Sequence, residues 1–284
     1  MTKENVRTFV VELLRGRLPP DHERDAILSA CAQACEGEGL DLSTVLQEML
    51  IEGYPPIYWA IVNRAVASES SGMAPDSLVF ALLKACRPFS PATITAIRVA
   101  CMMASDNTLL QRLFRSIPQL SHISTRDALL LGPANEEDRV DVEEKRNGTG
   151  SWVASIKIPR FRLRMRVCQS VSVEFVASGR IWILAFSAKI DTSPEGRSEN
   201  RWFLSLELGD QSPPTTVNAN LVILGTSETE EGDPHDSFSI PLCPPMSELS
   251  PGPEKAIKVR LDDGPIGLQL LNEFVGICAR ICCW

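Results

Sequence analysis

The residues best suited to metal or redox chemistry in this chain are nine cysteines and three histidines. Cys31 and Cys35 lie four positions apart in a segment with helical periodicity, a spacing that half of a metal site could use. Zinc needs about four ligands, however, and His22, His122 and His235 lie in separate segments. Because free cysteine packs as a small apolar side chain, the spacing favours buried thiols. We expect reduced cysteines, no metal and no cofactor.

Motifs for nucleophilic catalysis and for phosphate binding are weak or missing. No serine stands in the Gly-x-Ser-x-Gly setting of a hydrolase nucleophile. Gly148-Thr149-Gly150 lacks the lysine that follows a phosphate-binding loop. Asp262-Asp263-Gly264 follows a predicted strand and is typical of a turn. The sequence therefore predicts no catalytic residues, although carboxylates brought together by the fold would not be visible in it.

Three arginines alternate with apolar residues in the segment 161–167. This alternation predicts a half-buried strand that places Arg162, Arg164 and Arg166 on one face. Like charges on such a face repel one another, so they require water, an acidic neighbouring strand or an acidic ligand. A solvated or internally paired face is the first interpretation. A surface for an acidic partner is the alternative.

Length and composition indicate an ordinary globular chain. Its 284 residues suffice for about two domains, and 44% hydrophobic with 23% charged residues argue against wholesale disorder. A formal net charge of −8 disfavours generic binding to nucleic acid or to anionic membranes. No signal peptide is recognisable, and no run approaches the roughly 20 apolar residues of a membrane span. With an odd number of irregularly spaced cysteines, we expect a cytoplasmic or nuclear protein.

The N-terminal part has the periodicity of short amphipathic helices punctuated by glycine and proline. Asp41, Asp76 and Asp106 are predicted helix caps, 35 and 30 residues apart, and each begins the second helix of a pair. A unit that recurs about every 33 residues predicts a stack of helical hairpins, here over residues 1–134. The predicted helices cover residues 4–16 and 23–35 and begin at or after Asp41, Pro56, Asp76, Pro91 and Asp106.

The segment Gly53-Tyr54-Pro55-Pro56-Ile57-Tyr58-Trp59-Ala60 is similar to the Gly-x-Thr-Pro-Leu-His-x-Ala motif of ankyrin repeats. The glycine, the second proline and the alanine match, and isoleucine replaces leucine. A proline and a tyrosine replace the threonine and histidine, so the capping bonds of those two residues cannot form. The resemblance covers about residues 20–118 and implies an extended face for a protein partner, with Trp59 as a candidate contact. An unrelated array of α-hairpins is the alternative.

Residues 135–150 are predicted to link two domains. The stretch 136–146 is dominated by charged side chains, a composition that favours solvation over packing. An acidic recognition tail is the alternative interpretation. Asn147-Gly148-Thr149 fits a glycosylation acceptor, but without a secretory signal it is better explained as a turn.

From Trp152 onwards the hydrophobic period changes from helical to alternating. About eight short segments, separated by loops rich in proline, glycine and serine, predict an antiparallel β-sandwich over residues 151–264. The predicted strands are 152–158, 161–167, 171–176, 179–190, 201–208, 216–224, 237–242 and 257–262.

Part of this region looks like the MATH (meprin and TRAF homology) domain. In that family a Gly-x-x-Trp strand precedes a Leu-Ser-Leu strand and then an alternating one, as in Gly179–Leu184, Leu204–Leu208 and Val217–Leu224. The resemblance spans about residues 151–262 and implies an eight-stranded sandwich. The family commonly has a late aromatic segment that helps to form a peptide groove. Only Phe238 is available there, so a family-like groove does not follow.

Residues 265–284 are predicted to form an apolar, cysteine-rich tail. Docking onto one of the domains is the first interpretation, and lipidation of Cys282 or Cys283 or a tail without a structural role are the alternatives.

The sequence thus predicts an α+β protein of two domains, a helical repeat stack followed by an antiparallel β-sandwich. A non-enzymatic adaptor that binds protein partners of unspecified identity is the first functional hypothesis. A sandwich that binds carbohydrate or another small ligand is the alternative, and it would need exposed aromatics among Trp152, Trp182 and Trp202. An enzyme is the third.

Overall fold

The computed structural model describes residues 3–15, 21–48, 50–68, 76–120, 126, 129–130, 137–145, 150–192, 198–226, 237–242, 249–252, 255–261 and 276–283. The chain divides into two compact units, Met1–Asp106 and Asn107–Trp284. The first carries helices and the second carries two antiparallel sheets, so the predicted α+β class with two domains is confirmed. Within the described residues, no helix is long and apolar enough to cross a membrane.

The described part of the first unit is built around its fourth helix. This helix, α4, packs against α1, α5 and α6, while α2 packs against α1, α3 and α5. The helices are α1 (Lys3–Arg15), α2 (Asp21–Gly37), α3 (Leu42–Glu48), α4 (Pro56–Ser68), α5 (Asp76–Ala85) and α6 (Pro91–Met103).

Local capping chemistry explains where several of these helices begin. Asp41 accepts hydrogen bonds from the backbone N–H and the hydroxyl of Thr44, both at 2.9 Å, which confirms the predicted cap of α3. These bonds, the backbone one most of all, hold the pKa of Asp41 below its ordinary value. Pro91 opens α6 behind the cap residue Ser90. α5 differs slightly, because Asp76 is its first helical residue.

Cysteine thiols fill part of the helical core. Cys31, Cys35, Cys86 and Cys101 are each at most 3% exposed. None of the eight cysteines that lie in the described part of the chain is in a disulfide. Burial raises the pKa of Cys86 to about 12, so this thiol stays protonated in the folded protein.

Cys86 is expected to resist alkylation by iodoacetamide at mildly alkaline pH, because the reaction needs the thiolate. In the unfolded chain a cysteine ionises with a pKa of about 8.5, so unfolding should restore its reactivity. The contribution of this thiol to the free energy of unfolding is fully present below the unfolded-state pKa of about 8.5. It is lost as the pH rises toward the folded-state pKa of about 12. Peptide mass spectrometry of native and unfolded protein checks this, with half-buried Cys168 as the comparison. Equal labelling of native and unfolded Cys86 would contradict it.

The described strands of the second unit form a two-layered antiparallel sandwich. One sheet has the order β1-β2-β9-β6-β7 and the other has the order β3-β4-β5-β8. The strands are β1 (Arg139–Glu144), β2 (Trp152–Ile158), β3 (Ser170–Ala177), β4 (Arg180–Thr192), β5 (Ser198–Leu208), β6 (Ala219–Thr226), β7 (Ser237–Leu242), β8 (Ile257–Arg260) and β9 (Gly276–Cys283). The core between the sheets includes Trp152, Phe175, Trp182 and Phe186.

The strand predicted over 161–167 is wrong, because Phe161–Cys168 forms a helix, α8. The apolar pair Phe161 and Met165 is four residues apart, a spacing that suits one helix face as well as alternation. Both side chains are buried, whereas Leu163 and Val167 are 43% and 45% exposed. A strand would have buried all four apolar side chains on one face. The helix buries only Phe161 and Met165 and leaves Leu163 and Val167 exposed.

The predicted charged linker contains a strand instead. β1 pairs with β2, and its valines point toward the core while its charged residues point outward. Val140 is only 5% exposed, so two valines suffice to fix an edge strand among the charges.

The predicted C-terminal tail supplies β9, which lies between β2 and β6. Of the predicted tail, residues 276–283 are therefore an integral strand of the sandwich rather than an extension docked onto it.

The helix after Asp106 belongs to the sandwich unit rather than to the helical one. This helix, α7 (Asn107–Ser116), packs against β1 and β3 and is followed by a 3-10 turn, Pro118–Leu120. The compact units divide between Asp106 and Asn107, whereas the sequence placed the end of the helical domain at residue 134. An amphipathic pattern shows that a helix has a buried face, but it does not show which core receives that face.

Candidate functional site

Trp59, a predicted partner contact, lies in the first turn of α4 beside a tight turn. Ile51 and Tyr54 exchange backbone hydrogen bonds of 2.8 and 3.1 Å across this turn. Its central residues, Glu52 and Gly53, have φ values of 51° and 89°. Two positive φ values are typical of the two-residue turn that joins hairpin strands. Glycine adopts this conformation without strain, whereas Glu52 does so at a cost.

The tight turn is tied to the helix by aromatic side chains. The indole N–H of Trp59 donates to the carbonyl oxygen of Ile51 at 2.7 Å. The rings of Tyr54 and Tyr58 stack with centroids 3.9 Å apart and planes 12° from parallel. Trp59 meets both tyrosine rings edge-on, at 6.5 and 5.2 Å. We call residues 50–59 the aromatic turn.

The aromatic turn presents apolar surface on a rigid base. Tyr58 is only 7% exposed, and burial raises the pKa of its hydroxyl, with a smaller contribution from Tyr54. Tyr54 itself is 38% exposed and Leu50 is 54% exposed, while Trp59 is half-buried. Since the indole N–H of Trp59 is already used, the aromatic turn offers mainly apolar and ring contacts.

The structure does not bring the three predicted arginines together on one face. Arg164 is 1% exposed and donates to both carboxylate oxygens of Asp138, at 2.6 and 3.1 Å. Arg166 is exposed and Arg162 is half-buried on the same helix, α8. Because successive helical residues are rotated by about 100°, alternate positions do not share a face. Arg164 is paired inside the unit with Asp138, which precedes β1 rather than lying on a neighbouring strand, so it leaves the predicted partner surface.

The aromatic side chains of the sandwich lie mostly in its core. Trp152, Trp182 and Trp202 are 1%, 2% and 5% exposed. The first two pack together, with ring centroids 5.2 Å apart. These tryptophans do not form the exposed platform on which a sugar ring would stack. Phe238 lies on β7, partly buried against the same core.

The remaining candidate motifs do not assemble into a centre in the described chain. Among the residues that the structure describes, no group of three histidine, cysteine or acidic side chains could hold a metal ion. Cys31 and Cys35 are buried thiols on α2 whose pKa values are raised, chiefly by burial. The predicted turns at 147–149 and 262–264 lie outside the described residues.

The sequence singled out Trp59 but not its neighbours in the aromatic turn. Glu52-Gly53 between two apolar residues resembles the two-residue turn signal of hairpins, and it could have indicated the turn. Nothing in the sequence indicates that Tyr54 stacks on Tyr58, because one ring is exposed and the other is buried. No protein-family model matches this chain, and no curated protein matches it either.

Proposed function

We propose that this protein is a non-enzymatic adaptor that binds a protein partner through the aromatic turn. The observation that carries the proposal is the exposed ring of Tyr54, stacked on the buried ring of Tyr58. Aromatic residues contribute a large share of binding energy at protein interfaces, above all where they are well packed. A side chain that is already ordered loses little entropy on binding, so this arrangement favours recognition.

The two family resemblances remain part of this proposal. In the helical unit, α4 begins at Pro56 and Ala60 is 5% exposed, which supports the ankyrin-like interpretation of that motif. In the sandwich, Trp182, Leu204 and Leu206 lie in the core on the paired strands β4 and β5. This supports a MATH-like interpretation, with β1 as an addition to the eight strands that the family implies. A cytoplasmic or nuclear location agrees with free thiols.

Replacing Tyr54 with serine is expected to weaken binding of the partner about tenfold or more, because an interface aromatic anchor is lost. The wild-type protein and Tyr54→Ser should be used as baits in parallel, with quantitative mass spectrometry of the retained proteins. Met103→Ser is the matched control, since Met103 is a 61% exposed apolar residue of the same unit, on α6. The affinity is then measured with the purified partner by calorimetry.

The aromatic turn is the partner site if the same protein is lost with Tyr54→Ser and retained with Met103→Ser. Unfolding curves must show that both variants stay folded, and this is expected because both side chains are exposed. Retention of every partner by Tyr54→Ser would contradict the proposal.

A further inference from the structure

A groove of about 620 Å³ lies between α7 and the start of β1 in the sandwich unit. This volume is within the usual range of ligand sites. Among the described residues, Arg112 and Arg115 of α7 line one wall, and Glu137, Arg139 and Asp141 line the other. The groove therefore places arginines on two different elements.

Both walls are held in place from inside the unit. On α7, the buried Asn107 donates to the carbonyl oxygen of Val140 at 2.8 Å and accepts from the N–H of Val176 at 3.1 Å. At the other wall, Asp138 is held by two nitrogens of the buried Arg164, at 2.6 and 3.1 Å. A groove with fixed walls needs little reorganisation when a ligand enters.

The charge of the groove differs in sign from that of the chain. Three arginines face two carboxylates there, whereas the chain has a formal net charge of −8. One of these arginines already has an acidic neighbour, since Arg115 forms an ion pair with Glu137 in which Nε lies 2.7 Å from Oε2. These two side chains are 49% and 59% exposed. Such an open ion pair is weak because water screens it, so a competing carboxylate can replace Glu137.

We infer that this groove is an interaction site for an acidic, extended segment of a partner protein. Guanidinium groups bind carboxylates through paired hydrogen bonds. The ion pair of Arg115 with Glu137 shows that a carboxylate can reach this arginine. The site lies in the second unit and does not rest on the aromatic turn.

A row of carboxylates fits this groove better than one compact anion does. Arg115 lies on α7 and Arg139 on β1, so a ligand with several spaced carboxylates can meet both walls. Glu137 and Asp141 would repel a compact anion such as phosphate, whereas the N–H groups of a peptide can donate to Asp141. Asp141 therefore selects for a ligand that carries donors between its negative charges.

The test uses the whole chain of 284 residues and a fluorescein-labelled peptide in which glutamate alternates with serine. A matched peptide has glutamine in place of every glutamate, and binding is followed by fluorescence anisotropy. The glutamate peptide should bind about tenfold more tightly than its glutamine counterpart, and this preference should shrink as salt is added. Arg115→Gln and Arg139→Gln should each lower the affinity by about threefold to tenfold.

The decisive variant is Glu137→Gln, which should raise the affinity about threefold because it releases Arg115 from its internal partner. Lys258→Gln is the control for a general loss of positive charge, because Lys258 is exposed and does not line the groove. It lies on β8, which is one edge strand of the four-stranded sheet, whereas β3 is the other. Circular dichroism must show that all variants are folded. Equal binding of the two peptides overturns the inference. So does an affinity that falls with Glu137→Gln, or one that falls as much with Lys258→Gln as with Arg139→Gln.

Discussion

Replacing Arg164 with glutamine is expected to lower the free energy of unfolding by about 3–5 kcal/mol, because the largely buried carboxylate of Asp138 then loses its bonds to the guanidinium. Arg164 is 1% exposed and binds both oxygens of Asp138, whose side chain is 11% exposed. Glutamine is too short to reach both oxygens and carries no charge. Urea unfolding followed by tryptophan fluorescence measures the loss, since Trp152 and Trp182 lie in the same core.

Two further variants separate this ion pair from a general effect on α8. Arg166→Gln changes an exposed arginine two positions along the helix, so its effect should stay within about 0.5 kcal/mol. The double change Arg164→Met with Asp138→Leu replaces the pair by apolar side chains and should recover most of the loss. Equal effects of Arg164→Gln and Arg166→Gln would show that the buried pair does not stabilise the sandwich.

The different roles of these arginines explain why the strand prediction failed. In 161–167 the sequence alternates apolar and basic residues, which predicts one uniform charged face. The helix gives neighbouring arginines different surroundings, and the partner of Arg164 lies 26 residues away at Asp138. Periodicity within a short segment carries no information about that distant carboxylate. A charged side chain can be buried only where an oppositely charged or hydrogen-bonding partner compensates for its lost hydration, and that partner can lie far away in the sequence.

Features that depend on neighbouring residues were predictable. The cap at Asp41 acts through Thr44, three residues on, and the start of α4 follows from the fixed backbone of Pro56. β7 was predicted with its observed bounds, Ser237–Leu242, because its flanking loops contain strong turn residues. In each case the physical cause lies within a few positions of its effect.

Features that depend on distant residues were not predictable. Gln47 donates to the carbonyl oxygens of Cys86 and Pro88 and accepts from Ser90, so a single amide on α3 organises the connection between α5 and α6. β9 comes from a segment predicted as a tail, yet it pairs on both sides. The groove was missed for the same reason, because its arginines come from a predicted repeat helix and from a predicted linker.

Asn107 provides a direct test of where α7 belongs. Replacing it with alanine is expected to lower the free energy of unfolding by about 2–4 kcal/mol, since two buried backbone groups lose their partners. Those groups are the carbonyl of Val140 on β1 and the N–H of Val176 on β3. Both strands lie at sheet edges, where no further strand of the described sheets supplies a replacement bond.

The matched control is Thr108→Ala, because Thr108 is the next residue of α7 and is exposed. It should leave stability within about 0.5 kcal/mol of the wild type. Hydrogen exchange measured by mass spectrometry locates the effect, and peptides that contain β1 and β3 should exchange faster in Asn107→Ala alone. If Asn107→Ala costs no more than Thr108→Ala, α7 does not hold the two edges together. The helix would then be better grouped with the helices before it, as the sequence predicted.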